Sequence, residues 1–155
     1  MKPTPPDWPR MSASLYYQDP RSAIDWIVRA FGFEARLVVE GDDGAIHHSE
    51  LVYGDALVMV GDGSAQKSAE EPWRERCVSP RAIGGRSTAA LAFFVDDADA
   101  HARRAREAGA TIVREPSTSD YGDDYWSDRS DGALDCEGHL WWFMQRVRNK
   151  GEPRT

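Results

Sequence analysis

The chain has little cysteine, no excess of basic charge and no long apolar run. Its two cysteines, Cys77 and Cys136, stand far apart without a CxxC pair. That excludes a disulfide framework and a zinc knuckle and fits a reducing cytoplasm. The formal charge is -7. Nucleic acid and anionic membrane surfaces both call for basic patches, so neither is expected as a partner. No apolar stretch approaches the roughly 20 residues that span a bilayer. The opening MKPTPPDWPR is Pro-rich and lacks the apolar core of a signal peptide. There is no GxSxG, phosphate loop or dinucleotide fingerprint.

What is present is a doubled pattern. At 155 residues the chain suits one domain or two small modules sharing a core. Residues 1–9, with four of the nine prolines, are expected as an extended arm. Arg10 to Tyr17 alternates like a strand. Asp19-Pro20 supplies an N-cap and a first-turn proline. Ile24, Ile27, Val28 and Phe31 follow at helical spacing, and Gly32 stops the helix. Strands are expected at Phe33 to Glu40, Ala45 to Tyr53 and Ala56 to Val60, the first two joined by the loop Gly41-Asp42-Asp43-Gly44. Residues 62–88 read as a linker or lid. The order then restarts. Ala89 to Val95 reads as a strand, and Asp97 caps a helix burying Ala98, His101, Ala102 and Ala105, ended by Gly109. Thr111 to Glu115 is a short strand, Pro116 to Asp124 a loop, and Tyr125 to Leu134 with His139 to Val147 a hairpin. In the last strand Trp141 and Trp142 point to opposite faces, so one packs on a helix layer and the other looks out from the far face. The modules are thus residues 10–61 and 89–148, with 149–155 a frayed tail.

A doubled βαβββ order resembles the vicinal oxygen chelate superfamily of glyoxalases, bleomycin-resistance proteins and extradiol dioxygenases. The residues that carry the likeness are Tyr16-Tyr17-Gln18-Asp19-Pro20 through Ala30-Phe31-Gly32-Phe33-Glu34, Phe94-Val95-Asp96-Asp97 with Ala108-Gly109-Ala110, Tyr121-Gly122, and Asp135-Cys136-Glu137-Gly138-His139. Cys136 stands where the family usually has Pro. Ser130-Asp131-Gly132 reads as an insert that would bulge or loop the last hairpin. The resemblance implies an α+β fold of two tandem modules whose sheets share a cleft, often completed as a homodimer.

In the family's metal enzymes four His, Glu or Gln ligands line that cleft. Carried over from the matched landmarks, their positions fall on Ser12, Val58, Ala90 and Trp142. Divalent metals need imidazole or carboxylate donors at about 2 Å, and this set offers none. The resemblance therefore implies the fold without its metal and without another cofactor. It points to the branch that sequesters drugs by stacking and shape. Its cleft would be lined by Trp142 with Leu140 and Met144, by Ala90, Ala92 and Phe94, and by Ser12, Ser14 and Tyr16.

His48 and Glu50 share a strand face and offer the rival chemistry, an acid/base pair or a non-family metal site. A polar sheet wall accounts for them more simply; a ligand-orienting pair is equally open. Tyr121, Tyr125, Trp126 and Trp73, with Arg129 for charge, suit stacking on a planar ligand, and serve as well as core or interface residues. His101 reads as a boundary residue and His139 as a structural member of the hairpin turn. Asp120, Asp123, Asp124, Asp128, Asp131 and Asp135 lack calcium-loop spacing and read as a solvated loop face. The leading expectation is a cytoplasmic, homodimeric, metal-independent protein binding a small apolar or aromatic molecule. The alternatives are a metal-dependent lyase or isomerase using His48 and Glu50, and a non-catalytic dimeric interaction module.

Overall fold

Both helices start as the sequence directs. Asp19 accepts a hydrogen bond from the Ser22 N–H at 3.0 Å, and Asp97 does the same for the Ala100 N–H at 2.9 Å. The computed structural model describes residues 1–64 and 71–153. It divides into two units, Met1–Arg86 and Ser87–Thr155, each carrying one four-stranded sheet.

In the first unit β1 (Ala13–Tyr17) leads into α1 (Pro20–Phe31), followed by β2 (Glu34–Glu40), β3 (Ile46–Tyr53) and β4 (Ala56–Asp62). The strand order is β1-β4-β3-β2, with β1 parallel to β4 and the other pairs antiparallel. Gly32 ends α1 at φ 80, the left-handed turn that glycine takes without strain. The buried stripe of α1 is wider than the periodicity predicts. Trp26, Ala23 and Ala30 are buried with Ile24, Ile27 and Phe31, while Val28 is only half-buried. The arm is not simply extended. Asp7 takes φ 62 and the Trp8 N–H donates to the Pro5 carbonyl at 3.3 Å. Arg36 of β2 then holds the arm, donating to the Asp7 carbonyl at 2.6 Å with its guanidinium 5.9 Å from the Trp8 ring centre. In the linker, residues 65–70 lie outside the described residues. Beyond them stand two 3₁₀ turns, Pro72–Arg76 and Pro80–Ile83.

The second unit repeats the order with β5 (Ala90–Phe94), α2 (Ala98–Glu107), β6 (Thr111–Asp120), β7 (Ser127–Leu134) and β8 (Leu140–Arg148). The sheet runs β5-β8-β7-β6, and β5 is parallel to β8. Ala98, His101, Ala102 and Ala105 are buried, as their spacing predicts. Trp141 and Phe143 form the core beneath α2. Their rings stack 6.2 Å apart, and the Phe143 ring centre lies 3.8 Å from that of His101.

Two expectations for this unit fail. Pro116 to Asp120 is strand, not loop. β6 is an edge strand, so Pro116 costs no ladder bond, and register shifts at Ile112/Arg114 and Arg114/Ser117 absorb it. The irregularity expected at Ser130-Asp131-Gly132 is absent. Those residues pair in even register with Met144, Phe143 and Trp142, and the bulges sit on the opposite strand.

Candidate functional site

On the first sheet, alternation turns Leu51, Val58 and Val60 toward the core and leaves Ser14, Tyr16, His48, Glu50, Met59 and Gly61 on the other face. A cavity of about 540 Å³ opens there, lined by Ser14, Tyr16, His48, Met59, Gly61, Trp73 and Arg74 among others. Tyr16 lies against Gly61, where an added Cβ would come within 3.0 Å of its ring. Burial, then a hydrogen bond with the Cys77 side chain, pushes the Tyr16 phenol up to about 12. It stays protonated at neutral pH, its hydroxyl hydrogen-bonded to the Cys77 side chain. Arg74 stacks on Trp73 with its guanidinium 5.2 Å from the ring centre. His48 Nε2 lies 3.0 Å from Glu50 Oε1. Arg36 holds the other carboxylate oxygen, Nε at 2.8 Å. The bonds from His48 and then Arg36 lower the Glu50 pKa below the ordinary carboxylate value. Glu50 therefore stays ionised and orients His48.

On the second sheet the face turned away from α2 carries Ala90, Ala92 and Phe94 of β5, Leu140, Trp142 and Met144 of β8, and Gly132 of β7. Trp142 lies flat on Gly132, whose added Cβ would meet the ring at 3.0 Å. Arg114, in register with Gly132, places its guanidinium 5.7 Å from the Trp142 ring centre. Arg146 reaches two rings, 5.4 Å from Phe94 and 5.0 Å from Trp126, and its charge is met by Asp128. Tyr121 and Tyr125 each lie 6.0 Å from Trp126, ring centre to ring centre.

The structure gathers Ser14, Tyr16, His48 and Trp73 at the first sheet's cavity, with Glu50 behind His48. It gathers Phe94, Trp142 and Met144 on the second sheet, with Trp126, Tyr121 and Tyr125 linked to them through Arg146. Ser12 lies just ahead of β1. Three assignments are corrected. Arg129 does not serve the aromatic cluster. It turns toward α2 and donates to both carboxylate oxygens of Asp99, and Arg146 takes the place expected for it. Val58 is fully buried in register with Leu51, so it faces the core and no ligand. The aspartate run is not uniformly solvated, since Asp128, Asp131 and Asp135 are buried. Asp135 pins the hairpin turn by accepting from the Glu137, Gly138 and His139 N–H groups, and its second oxygen accepts from Trp141 Nε1 at 3.0 Å. Arg36, Arg74, Arg114 and Arg146 were missed by the sequence reading. The only signal for Arg114 was Pro116 nearby, which marks an edge strand able to bulge.

The positions to which the family's metal ligands carry over do not fit a metal. Ser12, Ala90 and Trp142 offer no imidazole or carboxylate, and Val58 points into the core. Among the described residues no group of three or more His, Cys, Asp or Glu side chains is placed to hold a metal ion.

Two sheets of this order, each backed by one helix, define the glyoxalase/bleomycin-resistance fold. The chain belongs to the Glyoxalase/Bleomycin resistance protein/Dioxygenase superfamily, whose family model matches residues 11–143. It is 33% identical over 140 residues to an uncharacterized protein of Mycobacterium bovis, covering 90% of this chain and 85% of that one. Among solved structures it resembles TioX from Micromonospora sp. ML1, with 30% identity, a TM-score of 0.62, and 95% and 99% of the two chains covered. TnmS3, an antibiotic binding protein from Streptomyces sp. CB03234, shares the fold at 18% identity and a TM-score of 0.63, with 90% and 97% covered.

Proposed function

We propose that this protein binds a small, partly aromatic molecule without the family's metal, by shape and stacking. The cavity on the first sheet carries the reading. Its volume of about 540 Å³ falls in the range of small-molecule sites, roughly 300–1,000 Å³. Trp73 and Tyr16 offer aromatic faces, Met59 an adaptable apolar wall, and Arg74, His48 and the Tyr16 phenol a few polar contacts for orientation. The antibiotic-binding description of TnmS3, a protein of the same fold, makes sequestration of a planar antibiotic the first chemistry to try. Action in the cytoplasm as a homodimer belongs to the same reading. The test is a tryptophan-fluorescence screen of planar antibiotics and aromatic metabolites. A hit should quench emission in the wild type and weaken at least tenfold in Trp73→Ala and in Tyr16→Ala. Hits that bind both variants as well as the wild type would overturn the assignment to this cavity.

The His48–Glu50 pair favours a second reading, a lyase or isomerase in which His48 removes a proton. An ionised Glu50 holding the imidazole at 3.0 Å is the arrangement a general base needs. Any turnover found on an enolisable ligand should vanish in His48→Ala while that ligand's affinity changes little. Retention of turnover would remove this reading.

A further inference from the structure

We infer that the N-terminal arm is a strap that closes over one end of the first sheet, and that Arg36 is its latch, held in aim by Glu50. The inference does not rest on what the first sheet's cavity binds, and the compartment under the strap shares no lining residue with that cavity.

The arm is built to seat and to lift. Four prolines in its nine residues leave the free arm few conformations, so ordering it costs little entropy. Its path turns back at Pro6-Asp7, where Asp7 takes φ 62, a left-handed conformation that aspartate is among the few non-glycine residues to adopt. Arg10 Nη2 donates to the Lys2 carbonyl at 2.8 Å and closes the arm into a loop. Between this loop and the sheet lies a compartment of about 520 Å³, with Pro5, Pro6 and Trp8 on one side and Arg36, Val52 and Leu57 on the other. Leu57 points away from α1 and is nonetheless only 3% exposed. The loop faces it across the compartment, so a closed strap shelters an apolar wall.

The closure hangs on one side chain. Among the described residues the arm's one hydrogen bond to the sheet runs from Arg36 Nη1 to the Asp7 carbonyl. The same guanidinium meets the Trp8 ring. The rest of it is committed to Glu50, with Nε at 2.8 Å and Nη2 at 2.7 Å from Oε2. Glu50 is itself buried, its other oxygen facing His48. Two contacts to one carboxylate fix the plane of the guanidinium, and its rigid fork then sends Nη1 toward the arm. Opening the strap gives up one hydrogen bond and one ring contact, while the ion pair on the sheet stays whole. A segment so lightly attached opens by itself, well before the fold does. The latch is therefore reversible, and its strength is set by Glu50 rather than by the arm.

The test is limited trypsin digestion of the full chain, followed by mass spectrometry. The Arg10–Met11 bond lies at the base of the strap, and cleavage there tracks how often the segment is open. Arg36 and Glu50 are far from that bond in sequence, so substituting them leaves the cleaved peptide unchanged. We expect Arg36→Gln and Glu50→Gln each to speed the cut roughly tenfold, while cleavage after Arg29 in α1 keeps its wild-type rate. Arg74→Gln, on the other cavity, should change neither. A wild-type rate at Arg10 in Arg36→Gln or in Glu50→Gln would overturn the inference. So would a rise matched by an equal rise at Arg29, which would mean that the whole unit had loosened. A wild-type cut that quickens on dilution would seat the arm on a second copy, and would also overturn it. If Arg36→Gln fails to fold, Arg36→Lys replaces it. An ammonium cannot hold Glu50 and reach the Asp7 carbonyl with the same fork, so that variant must also be cut faster.

Discussion

Asp131 is fully buried beside Phe143 in the register of β7 and β8, and neither carboxylate oxygen has a hydrogen-bond partner on another described residue. Burial first of all, aided by the charges of Glu115 and Asp99 and opposed by Arg106, raises it from 3.8 to about 6. On the other side of Phe143 stands His101 of α2, ring centres 3.8 Å apart. Between those two values the folded chain holds a proton that the unfolded chain has lost. This group's contribution to stability is therefore greatest at acid pH, falls as pH rises from about 4 to 6, and stays low above that. The change corresponds to roughly 3 kcal/mol at most. Asp131→Asn should remove the fall and stabilise the protein at pH 8 by about 1–3 kcal/mol. Denaturant midpoints at pH 4.5 and pH 8 check this, and equal pH profiles for both proteins would show that Asp131 is solvated after all. Asp135 acts in the opposite sense, because its four accepted hydrogen bonds are all made. Asp135→Ala leaves three turn N–H groups and the Trp141 indole unanswered, and should cost about 2–4 kcal/mol, read as a lower denaturation midpoint.

At the scale of the element, β6 shows both what sequence patterning reveals and what it hides. The helices were legible because caps and stops act locally. Asp19, Pro20, Gly32 and Asp97 do their work within four residues of themselves. The faces of β8 were legible too. Alternation puts Trp141 and Trp142 on opposite faces, but which of them is buried depends on register, and the fold buries Trp141 and leaves Trp142 half-buried. β6 was misread past Glu115 because a proline ends a strand only where its missing N–H is wanted, and which strand forms the sheet edge is a property of topology. The same blindness hid Arg146, whose partners Asp128, Phe94 and Trp126 lie elsewhere in the chain, and Arg114, whose ring partner Trp142 is on β8, and it misassigned Arg129, whose partner is on α2. Gly132 is the element's sharpest test. A methyl group there meets Trp142 at 3.0 Å, and the ring is the part able to move. Gly132→Ala should tilt Trp142 off β7 and loosen Arg114, at a stability cost of about 1–3 kcal/mol. Near-ultraviolet circular dichroism and the Trp142 indole shift would record the tilt, and an unchanged indole signal would mean that the backbone yields instead.

Across the whole chain the two halves share a device as well as an order of elements. On each sheet an aromatic side chain lies over a cross-strand glycine on the face away from the helix, Tyr16 over Gly61 and Trp142 over Gly132. Each ring is flanked by an arginine, Arg74 beside Tyr16 and Arg114 over Trp142. Rings held against glycine present area for stacking. Of the positions to which the resemblance carries the family's metal ligands, Ser12, Ala90 and Trp142 have no imidazole or carboxylate to offer and Val58 is turned inward. His48 and Glu50 do not make good the loss. One Glu50 oxygen faces His48 and the other is held by Arg36, so a cation would have to displace an ion pair to gain two donors. A bound divalent metal stabilises a fold by an amount that grows with occupancy, about 2.7 kcal/mol at a hundredfold excess over its dissociation constant. Titration with Zn²⁺, Ni²⁺, Mn²⁺ or Fe²⁺ to a tenth of a millimolar should therefore leave the melting temperature unmoved, and elemental analysis of the purified protein should find far less than one metal per chain. A rise that persists in His48→Ala would place a metal elsewhere in the chain. A rise abolished by that substitution would make the His48–Glu50 pair a metal site and return the protein to the metal-dependent side of its family.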